Sequence, residues 1–403
     1  AVNTDSPPDR RYSGKWKIFF LVAVSIFMST LDSSIVNVAL PYMMTDLSCD
    51  IRTISWVVLI YLTVVSALLL TFGRLSDLKG HKPVYMTGFA VFTAGSLFCS
   101  MSIHPWQLIF SRAVQGSGAA MLMACSPALI VSAFTARERG RALGLIGAVV
   151  AAGLTSGPAV GGLLLDHFSW RAIFYINIPI GAAACLGAAA VMPHSRNVTG
   201  ESLDTAGSLL WALCLSALIL FLDTLTRQGP VSFLSAALAG LGLAAFAGFV
   251  RVEAGRPSPL IDFSLLKIRL FILPIAGSMI LFACLFGIVF LMPFFLTYPC
   301  GFSAVRTGNI MIVPFLFLLV VSPAAGMMHD RWGSRRICMA GMCCILFSLV
   351  SLTTLTPDLG TWAVLWRIAL AGLGTALYIS PNNTTILTAV PAKFRGTASG
   401  AVA

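Results

Sequence analysis

Gly73-Arg74-Leu75-Ser76-Asp77-Leu78-Lys79-Gly80-His81-Lys82 returns, 253 residues later, as Gly326-Met327-Met328-His329-Asp330-Arg331-Trp332-Gly333-Ser334-Arg335. Gly, Asp, Gly and a final basic residue keep the same spacing in both stretches. Two more matches follow in order. Arg112, with Gly116 and Gly118 after it, pairs with Arg367, Gly372 and Gly374 at an offset near 255. Arg139-Gly140-Arg141-Ala142-Leu143-Gly144 pairs with Arg395-Gly396-Thr397-Ala398-Ser399-Gly400 at 256. Ordered matches at nearly one offset mark an internal repeat, which governs the architecture before any single element is read.

The sequence around these stretches is apolar. Of 403 residues 58% are hydrophobic and 10% charged, with a mean hydropathy of +0.90. A soluble domain carries about 25% charged residues, so an aqueous globule is excluded, and so is disorder. The apolar runs are about 20 residues long, the length a spanning helix needs, where barrel strands would be about 10 alternating residues. The runs predict spans at 16–40, 54–73, 83–103, 106–134, 141–165, 171–192, 205–222, 231–250, 271–297, 308–328, 337–356 and 362–390, with a thirteenth starting near Gly396. The reading is an all-α polytopic membrane protein, divided into a cytoplasmic tail (1–15), a six-helix bundle (16–192), a linker with two extra spans (193–269) and a second bundle (270–403). By the repeat offset the second copy would run to about residue 448, so about two helices are expected beyond 403 and the parent is expected to have fourteen spans. No cleavable signal peptide is expected, because the first apolar run is long and leads into a hairpin of spans.

The charge balance is 26 Lys and Arg against 15 Asp and Glu, a net +11. Threading the spans puts twenty basic residues on one side and four (Arg52, Arg171, Arg227, Arg306) on the other, with Arg112 and Arg367 inside spans. That bias places the N-terminus in the cytoplasm, with the chain in an inner or plasma membrane. The excess charge is therefore topology, and no nucleic-acid partner is expected. Most of the ten Cys lie in apolar runs as small hydrophobes. There is no CxxC. Cys49 and Cys300 fall on the outer side at matching loop positions, where a bridge and two free thiols are both open readings.

Of the acids, only Asp32 lies deep within a span, in Leu31-Asp32-Ser33-Ser34-Ile35-Val36-Asn37-Val38-Ala39-Leu40-Pro41. An embedded carboxylate must be protonated, paired or hydrated, which suits a group that binds and releases a proton. It can also meet a cationic substrate, and a purely structural hydrogen-bonding role stands as the alternative. Arg112, in Leu108-Ile109-Phe110-Ser111-Arg112-Ala113-Val114-Gln115-Gly116, does not deprotonate and needs a partner or water. Its alternative is a snorkelled or structural arginine. Gly153-Leu154-Thr155-Ser156-Gly157-Pro158-Ala159-Val160-Gly161-Gly162 combines close-packing glycine spacings with a proline that frees a carbonyl and bends the helix.

These motifs resemble those of the major facilitator superfamily, whose halves are parallel six-span repeats. Within it the chain resembles the fourteen-span drug/proton antiporters of the EmrB/QacA type, with Ser34 at the usual Thr of the first-helix motif. The resemblance implies a major facilitator fold with two six-helix bundles, a two-helix insert and an unfinished C-terminal bundle. It implies proton coupling through Asp32 and Arg112, and antiport from Gly153, Gly157, Pro158, Gly161 and Gly162. It also implies cytoplasmic charge relays at Gly73, Asp77, Gly80 and Lys82, and at Gly326, Asp330, Arg331, Gly333 and Arg335. The first relay departs from the pattern at Leu78 and His81. Arg367, the repeat mate of Arg112 without a matching acid, is read as structural.

Substrate recognition is less legible. Phe282, Phe286 and Phe290 recur every four residues, ahead of Phe294 and Tyr298. The stripe can line an aromatic cavity for planar or cationic compounds, or serve as a lipid-facing or packing surface. Asn37, Trp56, Tyr61, Gln115, Tyr378 and Asn382 are further cavity candidates. There is no GxxxxGK[ST], no HExxH and no GxSxG, so neither ATP-driven transport nor an enzyme is expected. The expected function is proton-driven export of small amphipathic or cationic compounds, as in multidrug efflux. The expected partners are the lipid bilayer, a small-molecule substrate and protons, with no cofactor and a monomeric state. The rivals are a dedicated exporter of one metabolite or lipid-like solute and, more distantly, a membrane anchor or assembly protein.

Overall fold

A computed structural model describes residues 14–192, 205–228, 232–254 and 268–389. The basic residues Arg10, Arg11, Arg196, Arg256, Lys267, Lys393 and Arg395, the third repeat match and the span expected near Gly396 lie outside the described residues. Every regular element among the described residues is helical. In chain order they are α1 (Lys15–Asp46), α2 (Ile51–Lys79), α3 (His81–Ser100), α4 (Pro105–Ala133), α5 (Ala136–His167), α6 (Ala172–Tyr175), α7 (Asn177–Val191), α8 (Thr205–Gln228), α9 (Phe233–Ala254), α10 (Arg269–Thr297), α11 (Ala304–Met311), α12 (Val313–Trp332), α13 (Ser334–Leu352) and α14 (Thr361–Ala389). They supply twelve membrane-length spans, α6 with α7 and α11 with α12 each making one. The sixth and tenth spans are therefore not single helices. Each break falls just ahead of a proline, Pro179 or Pro314, which has no amide hydrogen to continue the ladder. Several helices outrun their apolar cores: α1 reaches Asp46 and α5 starts at Ala136, since backbone pairing continues past the hydrocarbon edge.

Polar residues close the helix ends. The Asp50 side chain accepts from the Thr53 amide at 2.9 Å, and Ser303 accepts from the Arg306 amide. Gln107 Oε1 accepts from the amides of Ile103 (3.0 Å) and His104 (3.3 Å), with Pro105 opening α4.

The helices group into two compact units. The first holds the described parts of Ala1–Ser29, Cys49–Val150 and Phe174–Gly255; the second holds Thr30–Ser48, Ala151–Ile173 and the described residues after Arg256. The first unit is built on Met28, Tyr85, Phe89, Phe92, Leu122 and Ile130, all buried. Tyr85 sets its hydroxyl 2.5 Å from Ser25 Oγ in that core. The α8–α9 hairpin sits on α2, where Trp211 Nε1 donates to the Ser66 carbonyl at 3.4 Å and stacks near Phe249. The second unit is built on Leu285, Ile288, Leu296, Ile310, Met311 and Ile368, with Val38 of α1 among them.

The sequence repeat is a structural repeat. In the first copy a Cβ on Gly116 would lie 3.0 Å from the Tyr61 carbonyl, and in the second a Cβ on Gly372 would lie 2.6 Å from the Pro314 carbonyl, 253 residues after Tyr61. A Cβ on Gly88 would lie 3.2 Å from the Gly118 carbonyl, and in their counterparts Gly341 and Gly374 an added Cβ on either would lie 2.5–2.6 Å from the carbonyl of the other. Gly80 (φ 90°) and Gly333 (φ 76°) both turn the chain between consecutive helices in a region open only to glycine.

Candidate functional site

The first unit gathers Arg112, Gln115 and Tyr61. Arg112 is 1% exposed, two turns into the spanning helix α4. Its Nε donates to the Val57 carbonyl at 3.1 Å and its Nη1 donates to Gln115 Oε1 at 2.6 Å. The guanidinium lies over the Tyr61 ring at 4.0 Å and 5.9 Å from the ring centre of Phe174. Gln115 passes the network on, donating from Nε2 to Ser96 Oγ at 2.9 Å and accepting from Cys99 Sγ at 3.7 Å. A permanent charge in a low-dielectric interior needs such donors' partners and a ring face to offset its desolvation. Sequence reading missed Ser96, Cys99, Phe174 and the Val57 carbonyl. The available signal was the pair Ser96 and Cys99, which share a face of α3 by their i,i+3 spacing. Gly95 admits this approach, since a Cβ there would fall 2.6 Å from the Gln115 backbone.

The second unit holds Asp32, Asn37 and the glycine-proline element of α5. Asp32 is 1% exposed. Asn37 is buried and donates from Nδ2 to the Ser33 carbonyl at 2.9 Å. The α5 element has two working faces. Gly157 and Gly161 turn to α1, where added Cβ atoms would come within 2.5 Å of Ser34 Cβ and 2.8 Å of Ile35. Gly162 turns to α11, within 2.7 Å of the Ala304 carbonyl by the same measure, and Gly308 of α11 closes onto the Pro158 carbonyl. Gly153 is buried one turn earlier. Helices of the first repeat thus meet a helix of the second at backbone distance inside one compact unit, as small residues permit. Near the same end, Tyr298 sets its hydroxyl 2.9 Å from the Pro41 carbonyl and 2.8 Å from Thr45 Oγ1. Asp46, the last residue of α1, accepts from Trp170 Nε1 and Arg171 Nη1, both at 2.9 Å.

The loop motifs take individual roles. Lys82 Nζ donates to the Ala189 (2.7 Å) and Met192 (2.8 Å) carbonyls and so caps the C-terminus of α7. His81 Nδ1 lies 3.1 Å from Ser76 Oγ, which in turn donates to the Gly73 carbonyl at 2.7 Å. Asp77 is exposed at the end of α2. In the second copy Gly326 is half-buried and Arg335 exposed, while the side chains of Asp330 and Arg331 lie outside the described residues. Arg367 ties α14 to the end of α13 through the Ser351 carbonyl (2.8 Å) and Thr354 Oγ1 (3.1 Å).

The substrate candidates separate. Trp56 is half-buried. Phe282 and Phe286 are on an exposed face of α10, 6.3 Å apart, and Phe290 is half-buried against Phe294 at 5.5 Å. Tyr378 and Asn382 are buried and brace α10: Asn382 Nδ2 donates to the Pro274 carbonyl (3.1 Å) and Ser278 Oγ (2.8 Å), and Tyr378 donates to the same carbonyl at 3.4 Å. Glu253 is buried in the last turn of α9. Among the described residues no cluster of three or more His, Cys, Asp or Glu is placed to hold a metal ion. Cys49 and Cys300 are free thiols, and burial pushes both above the ordinary thiol value.

Comparison with known proteins agrees with this architecture. The sequence pattern described as Major Facilitator Superfamily matches residues 22–403. The chain is 36% identical to the riboflavin transporter RibZ of Clostridioides difficile, over 95% of this chain and 83% of that protein. It is 33% identical to the multidrug resistance protein Stp of Mycobacterium tuberculosis, over 94% of this chain and 70% of that protein. Among solved structures, the peptide transporter POT superposes with a TM-score of 0.69 at 14% identity, covering 96% of this chain and 85% of that one. An all-helical fold, twelve described spans, a structural repeat and this match lead to one conclusion: the chain belongs to the Major Facilitator Superfamily and is a multi-pass membrane transporter of small molecules.

Proposed function

We propose that the chain is a proton-coupled antiporter that exports small amphipathic or cationic compounds by alternating access. The observation that carries this reading is Asp32, a carboxyl group 1% exposed in the interior of a spanning helix. A carboxylate at that depth is costly unless protonated, paired or hydrated, and such groups mark proton or ion pathways. In the proposed cycle Asp32 takes a proton when open to the outside and releases it inward as substrate binds. Arg112 supplies a fixed positive charge that the Val57 carbonyl, Gln115 and Tyr61 hold in place. The glycine-proline element of α5 supports exchange, because it keeps backbones close where helices of the two repeats meet. The helices α8 and α9, inserted between the repeats, support the fourteen-span type, which a span count of the whole protein checks. The basic bias supports a cytoplasmic N-terminus. The name of the Stp relative supports multidrug export.

A second reading, a dedicated transporter of one metabolite, in keeping with the alternative of a single-metabolite exporter, is favoured by the name of the RibZ relative, which specifies one solute and no direction. Proteoliposomes with an imposed pH gradient test both, with ethidium and riboflavin as probes. Gradient-driven movement of ethidium supports the first reading, and movement of riboflavin alone supports the second. In either case Asp32→Asn should abolish the dependence on the gradient. Undiminished coupled transport in that variant would sink the mechanism.

A further inference from the structure

Pro158 lies in the interior of α5 and brings no amide hydrogen. The carbonyl four residues earlier, that of Leu154, therefore loses its helical partner. Inside a bilayer no bulk water replaces it, so a side chain must. Ser34 of α1 does: its Oγ donates to the Leu154 carbonyl at 2.8 Å, and the residue is 3% exposed. Ser25 and Ser29 of α1 donate to carbonyls of their own helix, at 2.9 Å each, and Ser25 also meets the Tyr85 hydroxyl. Ser34 donates to a backbone carbonyl of the neighbouring helix, and Gly157 makes room for it by lacking a Cβ.

We infer that Ser34 is a positioning residue for the proton site: by supplying the donor that Pro158 removes from α5, it sets the rotation of α1 and so the direction in which Asp32 points. Residues two apart on a helix lie on different faces. Anchoring Ser34 to α5 thus leaves Asp32 on another face of α1, and any turn of α1 about its axis would carry Asp32 with it. Two motifs far apart in sequence, the acidic one in α1 and the glycine-proline one in α5, then act as one device joined by a single hydrogen bond. This role rests on the reading of Asp32 as the proton carrier.

The test uses the full chain in proteoliposomes, with the initial rate of gradient-driven ethidium or riboflavin transport measured against pH. Ser34→Ala and Ser34→Val remove the donor and should lower the rate by roughly ten-fold or more, as misplacement of a reacting group does, and displace the pH midpoint. Ser34→Thr keeps the hydroxyl on the same shape as Val and should restore both. Thermal melting run in parallel shows that each variant is folded. A lower melting temperature with an unmoved pH midpoint would reduce Ser34 to packing and overturn the inference. So would Ser34→Val matching Ser34→Thr. If Asp32→Asn abolishes coupling while Ser34→Ala matches the wild type, only the Ser34 role falls. If the wild type shows no gradient-driven transport, the Asp32 reading falls first and this role with it.

Discussion

At the scale of residues, the chain spends its few intramembrane polar groups on specific debts of the backbone and of buried charge. Arg112 shows this. Its planar fork reaches the Val57 carbonyl and Gln115 at once while stacking on Tyr61, a combination a lysine cannot reproduce. Arg112→Lys should keep the charge yet lose one of the two hydrogen bonds, each worth about 1.5–3 kcal/mol when a charge is involved. The measurement is thermal stability together with gradient-driven transport, and both should fall. Asp50 makes a pH-dependent contribution at the start of α2. The Thr53 side chain and amide hold its carboxyl below the ordinary value of 3.8. A depressed folded value means the stabilising contribution is present above pH 3.8 and is lost as pH falls below it. Asn caps a helix about as well without titrating. Asp50→Asn should therefore flatten the acid limb of melting temperature against pH, with little change near neutrality.

At the scale of elements, glycine positions decide how close helices come and where they turn. Gly80 sits at φ 90° and ψ 148° between α2 and α3, and Gly333 at φ 76° and ψ 154° between α12 and α13. A side chain in that region costs about 1–3 kcal/mol. Gly80→Ala and Gly333→Ala should each lower the melting temperature. Gly73→Ala, in the same motif but with open space around its Cβ position, should be nearly neutral. The motif was legible in sequence as a repeated pattern, but its labour was not. Lys82 reads as a relay charge, yet its ammonium donates to two main-chain carbonyls at the end of α7, more than a hundred residues away. Spacing within one stretch carries no trace of such a contact.

At the scale of the whole molecule, topology is set by where the basic residues fall and how many apolar runs separate them. The loops after α1 and α10 carry Cys49 and Cys300 as free thiols, partly buried, and the basic bias of the sequence predicts that both loops face outward. A membrane-impermeant maleimide applied to intact cells should label them from outside, and the Cys49→Ser, Cys300→Ser double variant should lose that label. Because burial raises both thiols, labelling should be slow near neutral pH and quicken as pH rises. Labelling only after the membrane is breached would reverse the orientation.

Period, composition and repetition determined much about this protein without any coordinates. Apolar runs of about 20 residues predict helices, because a bilayer admits only helices and closed barrels and a barrel strand is about half that long. The repeat offset, visible in glycines and arginines, matched positions whose glycines stand at similar close helix approaches. An acid deep inside the first span marked Asp32 as a candidate, since an embedded carboxyl group must be protonated, paired or hydrated. What the tertiary structure decided was partnership. Arg112 finds Val57, Ser96 through Gln115, and Phe174; the Leu154 carbonyl that Pro158 leaves unpaired finds Ser34; and Asn382 with Tyr378 finds the Pro274 carbonyl of α10. Those partners are main-chain carbonyls, hydroxyls and ring faces contributed by distant segments. Almost any residue can offer a carbonyl, so only the packing of one helix on another reveals which one is used.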